Sequence, residues 1–235
     1  MTPYGARVAR ELAGALAASR IVIVSGLAQG IDSAAHEGAL EGGGVTVAVL
    51  GAGLAAYLRE ARGRRRRLAY EIRREGALIS QFPPDAPPRS WTFVERNGLI
   101  AALGEMTVVV EAPVGSGALI TARNARDLGR PVYAVPGPID ASASGGANAL
   151  IARGHAQAMT DVAALVESMG VAVRPAEDGA EAIGARVLDA LAAGPADLDT
   201  LARRLGMSAA TLASVAARLV VRGDLVATGG RLARR

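Results

Sequence analysis

Cysteine is absent from this 235-residue chain, so disulfide scaffolds, thiolate metal sites and a cysteine nucleophile are excluded together. Lysine is absent as well, and all 26 basic residues are arginine. Histidine occurs twice, at His36 and His155, too few for a multi-histidine metal site, and no metal is expected. Aromatics make up only 3% of the residues, so the core must be built from Ala, Val, Leu and Ile. No run of about 18 uninterrupted apolar residues occurs, which argues against a membrane span. The opening Met-Thr-Pro-Tyr-Gly-Ala-Arg lacks the apolar run of a signal peptide. What is present is ample core material. The chain is 51% hydrophobic and 20% charged, enough for one or two domains.

The charge is unevenly placed. The 26 basic residues exceed the 22 acidic ones by four. Residues 59–74 hold Arg59, Arg62, Arg64, Arg65, Arg66, Arg67, Arg73 and Arg74 against Glu60 and Glu71, a segment of +6, which leaves −2 for the rest. Such a cluster, centred on Arg64, Arg65, Arg66 and Arg67, suits a polyanion partner as an auxiliary basic patch. It equally suits a solvated loop and helix face.

Residues 1–173 alternate helix-like and strand-like segments. Val8, Leu12 and Leu16 recur at helical spacing over 6–18, and a second amphipathic stretch covers about 31–40. Strand-like runs stand at 21–24, 45–50, 77–79, 106–110 and 131–135. Their β-branched residues are continuous rather than alternating, as in strands covered on both faces. The fold class expected is α/β: a Rossmann-like, doubly wound, mostly parallel sheet. Such sheets bind ligands beyond the carboxyl ends of their strands, where four glycine-bearing turns should gather. Those turns hold Ser25-Gly26-Leu27-Ala28-Gln29-Gly30, Gly51-Ala52-Gly53, Gly115-Ser116-Gly117 and Pro136-Gly137-Pro138.

Residues 174–181 are polar and breaker-rich, which predicts a linker. Beyond them, helical patterns at 183–191 and 198–205 precede a third, with Ser208 as its N-cap and Leu212, Val215 and Leu219 as its apolar face. A hairpin at 225–232 completes a winged helix-turn-helix pattern over 182–235.

Several constellations invite chemistry. Ser25, Asp32 and His36 make a hydrolase triad on paper only. Asp32 and His36 lie four residues apart on one predicted helix, and no nucleophile-elbow pattern surrounds Ser25. Asp32 reads instead as a helix cap or an organiser of its turn. Gly51-Ala52-Gly53 lacks the third glycine of a dinucleotide fingerprint, and no phosphate-binding loop of the Walker type exists, so no nucleotide cofactor is expected. The strongest local signal is Gly115-Ser116-Gly117-Ala118-Leu119-Ile120-Thr121-Ala122, where a strand, a small-residue turn and a helix start form an anion cradle, or merely a tight connection. In Phe93-Val94-Glu95-Arg96-Asn97, Arg96 pairs with a phosphate or with an internal carboxylate such as Glu111.

Taken in order, the motifs resemble the DNA-processing protein A (DprA, or Smf) family. They begin with Ser25-Gly26-Leu27-Ala28-Gln29-Gly30-Ile31-Asp32, Ala34-Ala35-His36, Ala48-Val49-Leu50-Gly51-Ala52-Gly53-Leu54 and Arg96-Asn97 with Ile100. They continue through Val110-Glu111-Ala112, Ser116-Gly117-Ala118-Leu119-Ile120-Thr121-Ala122 and Val135-Pro136-Gly137 to Gly146, Asn148, Leu150-Ile151 and Gly154. The match spans roughly residues 3–169, and the winged helix is similar to a domain many members carry.

The resemblance implies a cytoplasmic, non-enzymatic protein without cofactors. It would bind and protect incoming single-stranded DNA and load the RecA recombinase during natural transformation, as a homodimer. Carried over by position, the DNA site would comprise Ser25, Gly26, Gln29, Gly30, Arg96, Asn97, Ser116, Gly117, Thr121 and Gly137, with dimer contacts at Leu150, Ile151 and Met159. Amide cradles grip phosphates without reading bases, which gives salt-dependent, sequence-tolerant binding.

Three departures are visible. In the family, a strand ending in a Gly-Thr-Arg-like turn precedes the counterpart of Pro3-Tyr4-Gly5; here the sheet is expected to lack that central strand or to be completed differently. Gln29 and Gly98 stand where basic residues are common. Tyr57-Leu58-Arg59 and the run 64–67 replace a Tyr-Pro…Asn segment. The winged helix offers Thr211, Ser214 and Arg218, thin for base readout, so a protein contact or weak duplex binding suits it as well. Two rival readings remain. One is a nucleotide phosphoribohydrolase-like enzyme, whose Pro-Gly-Gly-x-Gly-Thr-x-x-Glu motif is absent, and the other a nucleotide-sensing winged-helix transcription regulator.

Overall fold

The computed structural model describes residues 1–169, 177–207, 209–228 and 231–234. The chain divides into two units, Met1–Val173 and Arg174–Arg235.

The first unit opens with α1 (Pro3–Ala18). Thr2 caps it by accepting the Gly5 N–H at 3.1 Å, and Pro3 occupies the first helical position, where no N–H is needed. Ala9, Leu12, Ala13 and Leu16 form its buried stripe at helical spacing. Then follow β1 (Ile23–Ser25), α2 (Ile31–Glu41) and β2 (Thr46–Val49). α1 and α2 pack backbone to backbone. A Cβ on Gly38 would collide with the Arg10 carbonyl, so only glycine permits that approach.

Two helices, α3 (Leu54–Glu60) and α4 (Gly63–Glu75), cross to β3 (Ala77–Ile79), and α5 (Ser90–Leu103) leads to β4 (Thr107–Val109). α6 (Gly117–Asp127), β5 (Val132–Ala134), α7 (Gly145–Ala152), β6 (Gln157–Ala158) and α8 (Val162–Ser168) complete the unit.

All pairings in this unit are parallel, in the orders β1-β2-β3 and β4-β5-β6. The α/β class and the covered, β-branched strands match the sequence reading. One continuous sheet does not form: β1 and β4 are both edges, and both line a single long cavity of about 1040 Å³. The chain contains no further strand to bridge them among the described residues. Counting outward from this gap gives 1-2-3 on one side and 4-5-6 on the other, so the strand order reverses at the cavity.

The basic run 64–67 lies within α4, where sequence left loop and helix open. Arginine is a good helix former, and Leu68, Ala69 and Ile72 supply one buried face against Leu50, Tyr57 and Leu27.

In the second unit, α9 (Glu177–Leu191), β7 (Ala196–Asp197), α10 (Leu198–Leu205), α11 (Ala209–Arg222), β8 (Leu225–Thr228) and β9 (Arg231–Arg234) form three helices and an antiparallel sheet ordered β7-β9-β8. Leu212, Val215 and Leu219 meet Val187, Leu191, Leu201, Leu225 and Leu232 in its core, as their spacing predicts. α9 starts at Glu177, inside the expected linker 174–181, of which residues 174–176 lie outside the described residues. Asp197 caps α10 by accepting the Thr200 N–H at 2.8 Å, a bond that lowers its pKa from the ordinary carboxylate value. No helix among the described residues is long and apolar enough to cross a membrane.

Candidate functional site

The turn after β1 is organised by its own carboxylate. Asp32, in the first turn of α2, accepts the N–H groups of Gly26 and Ala28 at 3.2 Å each. This satisfies the role sequence gave Asp32 as organiser of the turn, and it occupies two amides that an anion would otherwise use. Leu27 between them adopts a left-handed φ of 54°, a costly conformation for a branched side chain, and Gly30 follows at 112°. The surrounding bonds hold this turn in one shape.

Arg96 is the main clamp. It is only 4% exposed, and its Nη1 donates to the carbonyls of Gly26 and Val49, tying the β1 turn to the end of β2. Its Nε donates to Asn97 Oδ1 at 3.2 Å, and Asn97 Nδ2 donates to the Gly117 carbonyl at 3.1 Å. Burial pushes the Arg96 pKa down, and the Asp32 charge opposes that shift. A Cβ on Gly26 would collide with this guanidinium. Arg96 does not reach Glu111, the alternative sequence left open. Glu111 instead accepts the backbone N–H of Thr2 at 2.9 Å and also the Thr2 hydroxyl. Arg96 and Asn97 thus join the turn after β1 to the start of α6.

At that start Ser116 is the N-cap, accepting the Ala118 N–H at 3.3 Å, while Gly117 is exposed and Thr121 buried one turn on. Ser25, Gln29, Gly30, Arg96, Asn97, Ser116, Gly117 and Thr121 all line the 1040 Å³ cavity. Gly26 lies directly behind, under Arg96. Gly137 stands apart from the lining, exchanging two hydrogen bonds with the Asn148 side chain at 3.1 and 2.9 Å. Leu150 and Ile151 are half-buried against the cluster around Val132 and Ala147, and Met159 is buried beside Leu16, Val135 and Leu165. Ser208 and the side chains of Ser214 and Arg218 lie outside the described residues.

The cavity is not electropositive. Arg20 and Arg96 stand on its wall against Asp32, Glu105 and Glu111. Its chemistry is that of backbone and neutral polar groups, with one aromatic that residue-type reasoning passed over. Phe93 is exposed, lines the same cavity, and has the Arg96 guanidinium 5.7 Å from its ring centroid. The available signal was its spacing, three residues ahead of Arg96 in a chain with two phenylalanines.

No hydrolase triad exists here. His36 is fully buried, and its Nδ1 donates to Thr46 Oγ1 at 2.7 Å; the Thr46 hydroxyl in turn donates to the Ile23 carbonyl at 2.8 Å, which assigns the ring proton to Nδ1. Nε2 has no hydrogen-bond partner among the described residues. Burial, reinforced by the Arg96 charge and opposed by the Ser25 backbone, pushes the His36 pKa down from 6.5 to about 3. It is a neutral core residue at pH 7. Among the described residues no group of three or more His, Cys, Asp or Glu side chains gathers for a metal.

The family model for DNA recombination-mediator protein A matches residues 1–170, and the model for the DprA winged helix domain matches residues 171–228. The chain belongs to the DprA family. It is 43% identical over 169 residues to the putative DNA processing protein DprA of Mycobacterium tuberculosis, a match covering 72% of this chain and 42% of that protein. The chain therefore spans under half the length of that DprA relative. Among solved structures, DprA from Streptococcus pneumoniae superposes with a TM-score of 0.63 at 36% identity, over 71% of this chain and 57% of that one. DprA from Helicobacter pylori, whose structure concerns its single-stranded DNA binding mode, superposes with a TM-score of 0.64 at 28% identity, over 72% and 75% of the two chains. These DprA neighbours share the α/β unit described above.

Proposed function

We propose that the protein binds single-stranded DNA at the carboxyl edge of β1 and β4, without turnover, and passes the strand to a RecA-class recombinase in the cytoplasm as a homodimer. One observation carries the DNA reading. The two glycine turns meet at one cavity where the strand order reverses, and Arg96 and Asn97 hold them in fixed relation. Reversal points are where open α/β sheets bind ligands. The exposed Gln29 and Gly117, the Ser116 hydroxyl and the Phe93 ring offer a strand neutral hydrogen bonds and a stacking surface, a combination tolerant of sequence. The Helicobacter pylori relative's binding mode supports the same polymer class. Delivery to a recombinase and dimerisation rest on membership of a recombination-mediator family. Absence of turnover is supported by His36, the one histidine beside the turn, being held neutral inside the core.

Fluorescence anisotropy with labelled oligo-dT and a matched duplex, across a salt series, tests the DNA reading. Oligo-dT should bind more tightly than duplex and weaken as salt rises. Ser116→Glu, which adds a carboxylate at the cavity rim, should weaken oligo-dT binding at least tenfold, while loss of the Ser116 cap costs about 1 kcal/mol of stability and leaves the protein folded at the assay temperature. Duplex binding as tight as oligo-dT binding, or full binding by Ser116→Glu, would sink it. Recombinase filament growth on coated single strands, with and without the protein, tests delivery.

A further inference from the structure

The arginines of α4 are not equivalent. Arg64 makes a two-point pair with Glu37, with Nε to Oε1 at 2.8 Å and Nη2 to Oε2 at 2.7 Å, a carboxylate that Arg10 also engages. Nearby Arg59 pairs with Asp85 at 2.6 Å, and Arg65 lies over the Tyr57 ring at 4.9 Å and donates to its hydroxyl at 3.2 Å. Arg66, Arg67 and Arg73 have no carboxylate partner among the described residues. They share one outward stripe with Tyr70, because positions 66, 67, 70 and 73 fall on the face opposite buried Leu68, Ala69 and Ile72.

Tyr70 sits in the middle of that stripe and is 41% exposed, in a chain with few aromatics to expose. Two guanidinium groups flank its ring, Arg66 at 5.6 Å and Arg73 at 5.2 Å from the centroid. A hydrogen bond from Arg66, and its charge, lower the Tyr70 pKa. Arg67, Tyr70, Arg73 and Arg74, with the single carboxylate Glu71, border a shallow depression of about 490 Å³. An exposed aromatic ring flanked by cations that no carboxylate neutralises is what a base and its flanking phosphates need from a surface. The base stacks on the ring, and the guanidinium groups turn to the phosphates.

We infer that this face of α4 is a second contact for single-stranded nucleic acid, with a base stacked on Tyr70 and phosphates on Arg66, Arg67 and Arg73. The inference deepens the single-strand reading above and depends on it. It supplies what the cavity lacks, namely positive charge that no carboxylate neutralises, acting at long range.

Three variants separate the contributions in anisotropy titrations against oligo-dT and against an abasic oligomer of equal length. Tyr70→Ala should weaken oligo-dT binding by about fivefold or more and leave abasic binding unchanged, while Tyr70→Phe should match the wild type. Arg67→Ala with Arg73→Ala should lower the slope of log K against log salt by about 1.4, the release expected from two single-strand phosphate contacts. All three substituted side chains are on the surface, so circular dichroism should be unaltered. Wild-type oligo-dT binding that none of these variants changes would overturn the α4 contact and leave the cavity reading standing. Equal losses on both oligomers in Tyr70→Ala would overturn base stacking. No oligo-dT binding by the wild type would overturn both proposals.

Discussion

The cavity at the carboxyl edge and the outer face of α4 divide between them what a polyanion site requires. The cavity has shape: two turns locked by Asp32, Arg96 and Asn97, and a wall on which arginines and carboxylates are mixed. The α4 face has charge on an ordinary helix, with no enclosed shape. The motif residues of the carboxyl-edge turns therefore mark construction, whereas the arginine cluster marks attraction. A buried arginine whose donors already meet carbonyls adds little long-range field, while an exposed one without a carboxylate adds most of its charge.

The comparison breaks most visibly at Arg96. Arg96→Ala leaves the Gly26 and Val49 carbonyls without their donor inside the core, so it should cost about 3 kcal/mol or more of stability in urea unfolding. A variant as stable as the wild type that has lost only DNA affinity would make Arg96 a ligand group after all.

Acid provides the next test. His36 takes up a proton near pH 6.5 when unfolded but only near pH 3 when folded. The unfolded state therefore binds more protons between those values, and stability must fall as pH drops through that window, by up to about 1.4 kcal/mol per pH unit. Thermal midpoints from pH 7 to pH 4 should show the decline, and His36→Gln should flatten it. An unchanged slope in that variant would place the acid sensitivity elsewhere.

Gln29→Arg sharpens the contrast by moving charge to the cavity mouth. It should tighten oligo-dT binding several-fold and steepen the salt slope by about 0.7, one added phosphate contact. The smallest effect concerns the gap itself. Alternate amides of β1 and β4 point into the cavity from unpaired edges, so hydrogen exchange there should outpace that of β2, which is bonded on both sides.

Much of this was legible in the residues. The continuous β-branched runs predicted covered parallel strands, and Leu212, Val215 and Leu219 predicted the core face of α11. Eight of the ten positions assigned to the DNA site line one cavity. Their individual duties were less legible. Residue type says that Arg96 is a cation; only the fold shows it surrounded by carbonyls, because the Gly26 and Val49 oxygens lie 70 and 47 residues away in sequence. β6 went unnoticed because Gln157-Ala158 lacks any β-branched residue, and its pairing with β5 overrides local propensity. The helix at 63–75 was obscured by its arginines, whose charge drew attention from the buried spacing of Leu68, Ala69 and Ile72.

The central claim, that a strand of DNA seats where the two glycine turns meet, is tested most directly by backbone amide shifts during an oligo-dT titration of the isotope-labelled protein. The account predicts the largest changes at Gln29, Gly30, Ser116, Gly117 and Thr121, with Tyr70 and its α4 neighbours moving in a second, salt-sensitive group. Shifts confined to residues 177–234, with the carboxyl-edge turns unmoved at saturation, would contradict it.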